Sequence, residues 1–490
     1  MEPNRADLGD SQCKTPGGVF ADGRKHLLAL ELCHSELFAG RSWLLRALSD
    51  RVSPWTARKS WATDNRARNG GAAGWRRNSS FRLMGSTRLM PLSQVSTNVL
   101  EERVASLLQA YDAQGNHRTG TEIDCASAQW LADHIRRFGI EPSLEPFALS
   151  RVDPQLTYAR IEDRRIDGIP MFNAAFTTAD GVRGRLGPLG SDTDIGLAES
   201  SPATVTQTAE ADIVPAARRS RHKAVILVTG GGKPGLFLSN ASAFPGPVGP
   251  PMLQISSVEG AWLRQQAQHR AEATVVAYVR RTPAHALNVI ATIAGRDQSL
   301  APLVFMAPRS GWWQCVSEQG SRLVCWLEIM RVVAGARPAR DCHFVALSGH
   351  ELAFMGMTPY LDRRQGLITR AEAWIFLGSD IGAPRQPNLI HASDHRLEQW
   401  VATALAKQGL PVDAKEQHSS RARGETAAIQ RGGGRFVTLA CGSSVFHNVA
   451  DRWPEAVDVS LLARYATALA DGAKLLAEHG AQGGDESQMG

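Results

Sequence analysis

The chain has no Cys-x-x-Cys pair, no long apolar run and no excess of positive charge beyond its first 83 positions. Each absence removes a class of function. Without an apolar run approaching the ~18 residues of a membrane-crossing helix, a membrane protein is not expected. The nearest approach to a secretory leader, His26–Leu30, is cut by Glu31 and is too short for a signal-peptide core. The seven cysteines are odd in number and scattered, which excludes a zinc ribbon or thioredoxin-type site and points to reduced thiols and a cytoplasmic protein. The net charge of +6 lies within residues 1–83, where 14 Lys and Arg face 8 Asp and Glu. The remaining residues balance, so nucleic acid is not an expected partner.

What is present describes a globular protein: 490 residues, 43% apolar and 21% charged, room for two or three domains. Residues 1–83 are rich in Arg, Ser, Gly and Trp without helical or strand periodicity, although Ser42–Leu48 could form a short helix. They read as a disordered arm, or as translated sequence ahead of a start at Met84 or Met90, rather than as a lipid- or RNA-binding segment. Order is expected from about Val95. Val99, Val104, Leu107 and Leu108 share a helical face, and Ala126–Phe138 reads as an amphipathic helix closed by Gly139. His117 and His134, each alone, are expected at the surface.

From Arg151 to about Pro283 the pattern changes to short strands broken by Gly and Pro. Lys223–Val228, Pro250–Ile255 and Ala273–Val279 read as strands, and Ser257–Ala267 as a helix. Gly230–Gly235 lacks the Gly-Lys-Ser/Thr ending of a phosphate loop and is expected to be a turn. Beyond Asn288 strands and helices alternate. Leu287–Ile293, Leu303–Ala307, His343–Leu347, Ala373–Leu377 and Phe436–Leu439 are expected strands. Arg322–Ala334, Leu352–Arg363, Leu397–Gln408 and Leu461–Glu478 are expected helices. This alternation predicts an open α/β sheet covered on both faces, with its site at the C-terminal strand ends.

Three stretches carry a resemblance: His117–Phe147 with its Arg-Thr-Gly-Thr turn, Asn288–Trp313, and Cys342–Gly356. Together they resemble the family of bacterial zinc aminopeptidases, glutamate carboxypeptidase and the transferrin receptor. The resemblance spans most of residues 95–480. It implies an exopeptidase-like α/β domain formed by residues 84–150 and 284–480, interrupted over 151–283 by a β-rich, protease-associated-like insert, with a disordered tail at 481–490.

The resemblance also implies where metal ligands belong. The family's first strand ends in an Ala-His-x-Asp segment that supplies ligands; here the residues are Ala307, Pro308, Arg309 and Ser310, and neither Pro308 nor Ser310 can replace them. The bridging Asp, which precedes an Asn-x-Ser-Gly helix start, falls on Glu318 in Ser317-Glu-Gln-Gly-Ser321. Of the family's Glu-Glu pair the second, a metal ligand, is kept as Glu351, while the first, the general base, becomes His350. The next Asp falls on Ser379, with Asp380 one residue away. The last ligand matches His447 in Val445-Phe-His-Asn-Val-Ala-Asp451, and Asp458 is expected to open the final helix. Glu318, Glu351, His447 and Asp380 are therefore the candidate metal ligands and His350 the candidate catalytic base, for one zinc at most or none.

Other readings stay open. His350 and Glu351 could cap a helix N-terminus. Ser310, His350 and Glu351 or Asp380 could form a Ser-His-acid set, although no Gly-x-Ser-x-Gly elbow surrounds Ser310. Arg309, Ser310, Trp312 and Trp313 could line a substrate cleft, or the tryptophans could pack it shut. His391 and His395 in the segment HASDH look metal-like, but Asp394 is expected to cap the helix that follows. The expected function is that of an exopeptidase-family protein with a diverged metal site, at most a weak or one-metal peptide or amide hydrolase. The alternative is a non-enzymatic peptide- or protein-binding module. A homodimer is possible in either case.

Overall fold

The computed structural model describes residues 92–200, 210–244, 246–384 and 386–479; the arm expected over 1–83, with Met84 and Met90, and the tail at 481–490 lie outside them. Fourteen strands are present among the described residues. The first seven are β1 (Ser143–Ile161), β2 (Arg164–Asp167), β3 (Ile169–Pro170), β4 (Val182–Pro188), β5 (Ile195–Ser200), β6 (Ala224–Thr229) and β7 (Met252–Ser256). The second seven are β8 (Glu272–Ile293), β9 (Leu303–Pro308), β10 (Cys342–Leu347), β11 (Ala373–Leu377), β12 (Asn388–Ala392), β13 (Ala414–Lys415) and β14 (Phe436–Cys441). Along the sheet they run β13-β12-β14-β11-β9-β10-β8-β4-β5-β6-β7-β3, with β1 paired to β8 and β2.

The centre of this sheet, β14-β11-β9-β10, is parallel, while β8 and β12 join it antiparallel. Its strands are near-continuous apolar runs because both faces are covered. Phe305, Ala307, Phe344, Ala346, Ile375 and Leu377 face the helices Leu92–Asp112, Glu122–Arg136, Ser321–Ala336 and Val459–His479. Val304, Met306, Val345, Leu347, Trp374 and Phe376 face the other side, toward Met357, Tyr360 and Ile429. This strict alternation is the period of two that a pleated strand imposes. The fold is an α/β, mixed open sheet with helices on both faces, as the alternating pattern implies.

Two expected strands, Ala273–Val279 and Leu287–Ile293, are one. β8 runs without a break and pairs with β1 over nearly its whole length, with one irregularity between Pro154 and Leu156. The nominal limits of the inserted region fall at opposed residues of this ribbon, Ser150 opposite Pro283 and Arg151 opposite Thr282. The region is therefore a continuation of a hydrogen-bonded ladder, and its own parallel strands β4-β5-β6-β7 extend from it.

The helix expected over Leu352–Arg363 is shorter, Met357–Asp362. Ala353 and Phe354 both take positive φ, which an L-residue helix cannot continue through, so His350–Gly356 is a chain of turns. His350 and Glu351 consequently cap no helix. His117 is not at the surface either. It is fully buried, stacked on Tyr111 at 3.8 Å, and its Nδ1 donates to the Gln314 carbonyl. His134 is half-buried against Trp130. No helix of the described residues is long and apolar enough to cross a membrane.

Candidate functional site

The parallel strands deliver their C-terminal ends to one edge of the sheet. β9 ends at Pro308 and is followed by Arg309 and Ser310, and β10 ends at Leu347 and is followed by Ser348–Glu351. Gly349 makes the tight turn after β10 at φ +86, where a Cβ would meet Met355 at 3.0 Å. β11 leads to Asp380, and β14 leads to the loop bearing His447. Left-handed backbone gathers at this edge: Cys315, Ala353, Phe354, Asp380 and His447 all have φ between 51° and 62°. Such clustering is what functional or formerly functional edges show, because the surroundings must hold an unfavourable conformation in place.

Glu318 and His447 meet at the sheet edge. His447 Nδ1 donates to the Leu238 carbonyl at 2.6 Å, which turns Nε2 toward Glu318 Oε1 at 3.4 Å. Glu318 sits in a buried one-turn segment, Val316–Gly320, that leads into the helix Ser321–Ala336. Asp451 caps this start by accepting from Ser317 N at 2.6 Å and Glu318 N at 3.0 Å. Burial alone would raise the Glu318 carboxyl, but the charges of His447, then His350 and Arg322, hold it down at about 2. Asp380, rather than Ser379, comes to the centre and accepts from Ser317 Oγ at 2.6 Å. Burial, reinforced by the Glu318 charge, pushes Asp380 up to about 7.

Glu351 is engaged otherwise. Its Oε1 accepts from Thr119 N at 2.9 Å and Thr119 Oγ1 at 2.6 Å, and its Oε2 accepts from Ser310 Oγ at 2.8 Å. Ser310 Oγ in turn accepts from Gly349 N at 2.8 Å. Ser310 thus serves a carboxylate and a turn, and no Ser-His-acid set forms. The His350 ring is instead paired through Nδ1 to the buried Glu425 at 2.9 Å. Arg309 and Ser310 are fully buried and line no cleft. Arg309 bonds the Leu287 carbonyl and forms an ion pair with Asp124. Trp312 packs edge-on to Phe172 at 5.1 Å and donates to Asn240 Oδ1, while Trp313 donates to the His447 carbonyl at 3.1 Å.

A segment between β6 and β7 lies over this edge. Leu238 N donates to His447 O at 3.2 Å, Ala241 N donates to Glu351 O at 2.8 Å, and Phe237 bridges Asn448. Beneath it Glu318, Glu351 and Asp380 are each 1% exposed and His447 is 3% exposed. In the HASDH segment, His391 lies on β12 against Phe436, and Asp394 accepts from Leu397 N at 3.1 Å as the cap of the helix His395–Lys407. Asp458 likewise accepts from Leu461 N at 3.0 Å at the start of the last helix.

Three site residues were not singled out from sequence. Thr119 lies inside the quoted Arg-Thr-Gly-Thr turn and supplies two donors to Glu351. Arg322 follows Ser321, and an arginine where the resembling helix start has glycine was the available signal. Glu425 had none, being brought to His350 only by the chain's return from β12 to β14.

Whether this donor set suits zinc can be judged from its geometry. The 3.4 Å between Glu318 Oε1 and His447 Nε2 is close to the separation of two ligands on one tetrahedral zinc, roughly 3.3 Å for bonds near 2.0 Å. A third ligand is lacking, because Glu351 is held by Thr119 and Ser310. Among the described residues, the group of His, Cys, Asp or Glu donor atoms lying within 4.8 Å of one another is Cys315, Glu318 and Asp451. Its distances could hold an ion. Its chemistry is adverse, since both Asp451 oxygens are taken by backbone N–H groups. The Cys315 thiol is pushed well up by burial and then by the charges of Glu318 and Asp451. With Pro308 and Ser310 at the first strand end, the residues present do not fit a zinc centre as they stand.

No family model matches the sequence, and no curated protein is significantly similar to it. Solved structures do share the fold. The zinc aminopeptidase BSAP from Bacillus subtilis matches with a TM-score of 0.62 and 17% identity over 78% of this chain and 94% of its own. An aminopeptidase from Aneurinibacillus sp. strain AM-1 gives 0.57 and 16% over 78% and 93%. A peptidase M28 precursor from Shewanella amazonensis SB2B gives 0.63 and 13% over 79% and 97%. At these identities the likeness is one of fold. The chain has a zinc-exopeptidase-like fold.

Proposed function

We propose that the chain is a non-hydrolytic peptide- or protein-binding module on the zinc-exopeptidase-like fold, with residues 151–283 acting as a protease-associated-like cover. The observation that carries this reading is the state of Glu351. Its Oε1 accepts two hydrogen bonds from Thr119 and its Oε2 one from Ser310, so a ligand role would require the Ser310 hydroxyl to turn away. The Ser310 proton is committed to Glu351 rather than to an imidazole, so Ser310 is no activated nucleophile, while the Nδ1 pairing of His350 with Glu425 leaves its Nε2 as the ring nitrogen able to take a proton. The Glu351 carboxylate is met from within the chain, whereas Glu318 Oε2 and Asp380 Oδ2 are buried without a hydrogen-bond partner among the described residues.

The rival reading, a weak one-zinc amide hydrolase, has the Glu318–His447 separation in its favour but needs Glu351 released from two hydroxyl-bearing residues. Metal analysis of the purified full chain, together with cleavage of simple aminoacyl amides in added zinc, separates the two. The binding reading expects no retained zinc and no turnover. About one zinc per chain with zinc-dependent cleavage would replace it with the hydrolase.

A further inference from the structure

Residues Leu236–Ala241, between β6 and β7, belong to none of the fourteen strands, yet their main chain is held from two sides as a strand's would be. Toward the sheet edge, the Leu236 carbonyl accepts from Asn448 Nδ2 at 3.3 Å. Leu238 N donates to the His447 carbonyl at 3.2 Å, and the Leu238 carbonyl accepts from His447 Nδ1 at 2.6 Å. Toward the inserted region, Phe237 N donates to Thr229 Oγ1 at 3.1 Å and Ser239 N donates to Gln254 Oε1 at 2.8 Å. From Leu236 to Ser239, even-numbered residues thus bond one wall and odd-numbered residues the other, which is the period of two of an extended chain. Asn240 Oδ1 then accepts from Trp312 Nε1 at 3.0 Å, and Ala241 N donates to the Glu351 carbonyl at 2.8 Å. Thr229 and Gln254 are fully buried polar residues in strands whose other buried residues are apolar, and both meet this passing main chain. The Phe237 ring lies against Gly231, where a Cβ would collide with it, and Leu238 joins the apolar cluster of Phe172, Trp312 and Leu352.

We propose that the cleft between the sheet edge and the inserted region is a groove for an extended peptide, and that Leu236–Ala241 is its internal occupant. This inference rests on the binding reading above and names its ligand: an extended main chain with two adjacent large apolar residues in the places of Phe237 and Leu238. The donors and acceptors offered by Thr229, Gln254, His447 and Asn448 suit the main chain of any extended peptide, so they supply affinity, while the two apolar seats supply choice. An occupant without main-chain amides would leave those buried polar groups unpaired, which is costly. Because the occupant is tethered, its effective concentration is high, and an external peptide meets an open groove only for the fraction of time the segment is out.

The probe is a fluorescent synthetic peptide with the sequence of residues 235–244, used beside the same peptide carrying Phe237→Asp and Leu238→Asp. The full chain is compared with two variants that unseat the segment. Leu238→Asp sets a charge in the apolar cluster, and Ala241→Pro removes the N–H that serves the Glu351 carbonyl. Hydrogen exchange over residues 236–241 reads release of the segment, and fluorescence polarisation reads capture of the peptide. Both variants should exchange faster there than the parent and should bind the native-sequence peptide about tenfold or more tightly, with no such gain for the Asp-bearing peptide. If neither variant folds alone, folding on addition of the native-sequence peptide supports the proposal, and failure to fold with it overturns it. Unchanged exchange, no gain over the parent, or equal binding of the two peptides would make the segment a fixed part of the fold and overturn the proposal. Those results would leave the binding reading standing for other ligands. Zinc-dependent cleavage of aminoacyl amides by the unaltered chain would instead remove that reading and this inference together.

Discussion

The guanidinium of Arg309 lies 3.0 Å from the carboxylate of Asp124, with both side chains entirely out of contact with solvent. Arg309 also donates to the Leu287 carbonyl through Nε and Nη2 and to the Asp124 carbonyl through Nη1. Asp124 accepts in addition from Gly120 N and Ser348 Oγ. One pair thus ties the start of the helix Glu122–Arg136, the strand β8 and the ends of β9 and β10 beneath the site.

Breaking that pair from one side should be severe. Asp124→Asn leaves a buried guanidinium without its counter-charge, and a loss of about 3–5 kcal/mol in denaturant unfolding is expected. Replacing both members by apolar residues, Arg309→Met with Asp124→Leu, should cost less than the sum of the single changes. Strict additivity would mean that the two side chains do not act as a pair.

The hydroxyls around Glu351 make a second expectation. Ser310→Ala removes one donor from a buried carboxylate and should destabilise by about 1–3 kcal/mol. Ser310→Asp sets a second carboxylate against Glu351, so one of the two must hold a proton. Its instability should therefore be greatest at high pH and ease as the pH falls through the raised carboxyl pKa. Unfolding measured from pH 5 to pH 8 would expose the idea as wrong if the Asp variant lost no more at pH 8 than at pH 5.

His117 supplies a pH dependence of the other sign. Burial, then the Arg309 charge, lowers its imidazole to about 3, so it is neutral in the fold. The unfolded chain takes up this proton below about pH 6.5, whereas the folded chain does so only near its lowered pKa. Its contribution to stability is thus complete above about pH 7 and declines as the pH drops toward 3, by at most about 1.4 kcal/mol per unit. The difference in unfolding free energy between the parent chain and His117→Gln should shrink across that window. A constant difference would contradict the assignment.

The thiols offer a direct check on burial. Cys315, Cys325, Cys342 and Cys441 are buried, and burial raises each of their pKa values. A thiol reagent at neutral pH should label these four only at the rate of unfolding. Rapid labelling of Cys315 in the native protein would mean that the edge beneath Leu238 opens readily.

The alternation of apolar runs and amphipathic stretches was enough to determine the layered α/β sheet, because a strand covered on both faces can be little but apolar and a covering helix must repeat every 3.6 residues. Caps were equally legible: Asp394 and Asp458 stand directly before the helices they cap, and a cap is a contact only a few residues long. Which residues share the site was a different matter. Thr119 and Glu351 are 232 positions apart, and His350 and Glu425 are 75 apart, so no local pattern joins them. The direction of Arg309, inward to Asp124 rather than out over a cleft, and the left-handed turns at Ala353 and Phe354 depend on neighbours supplied by distant strands. Sequence determined which segments could be strands and helices because burial is periodic along a chain. Only the tertiary structure decided that Glu351 would be met by the hydroxyls of Thr119 and Ser310 and Asp124 by the guanidinium of Arg309, because charge compensation depends on distance in space.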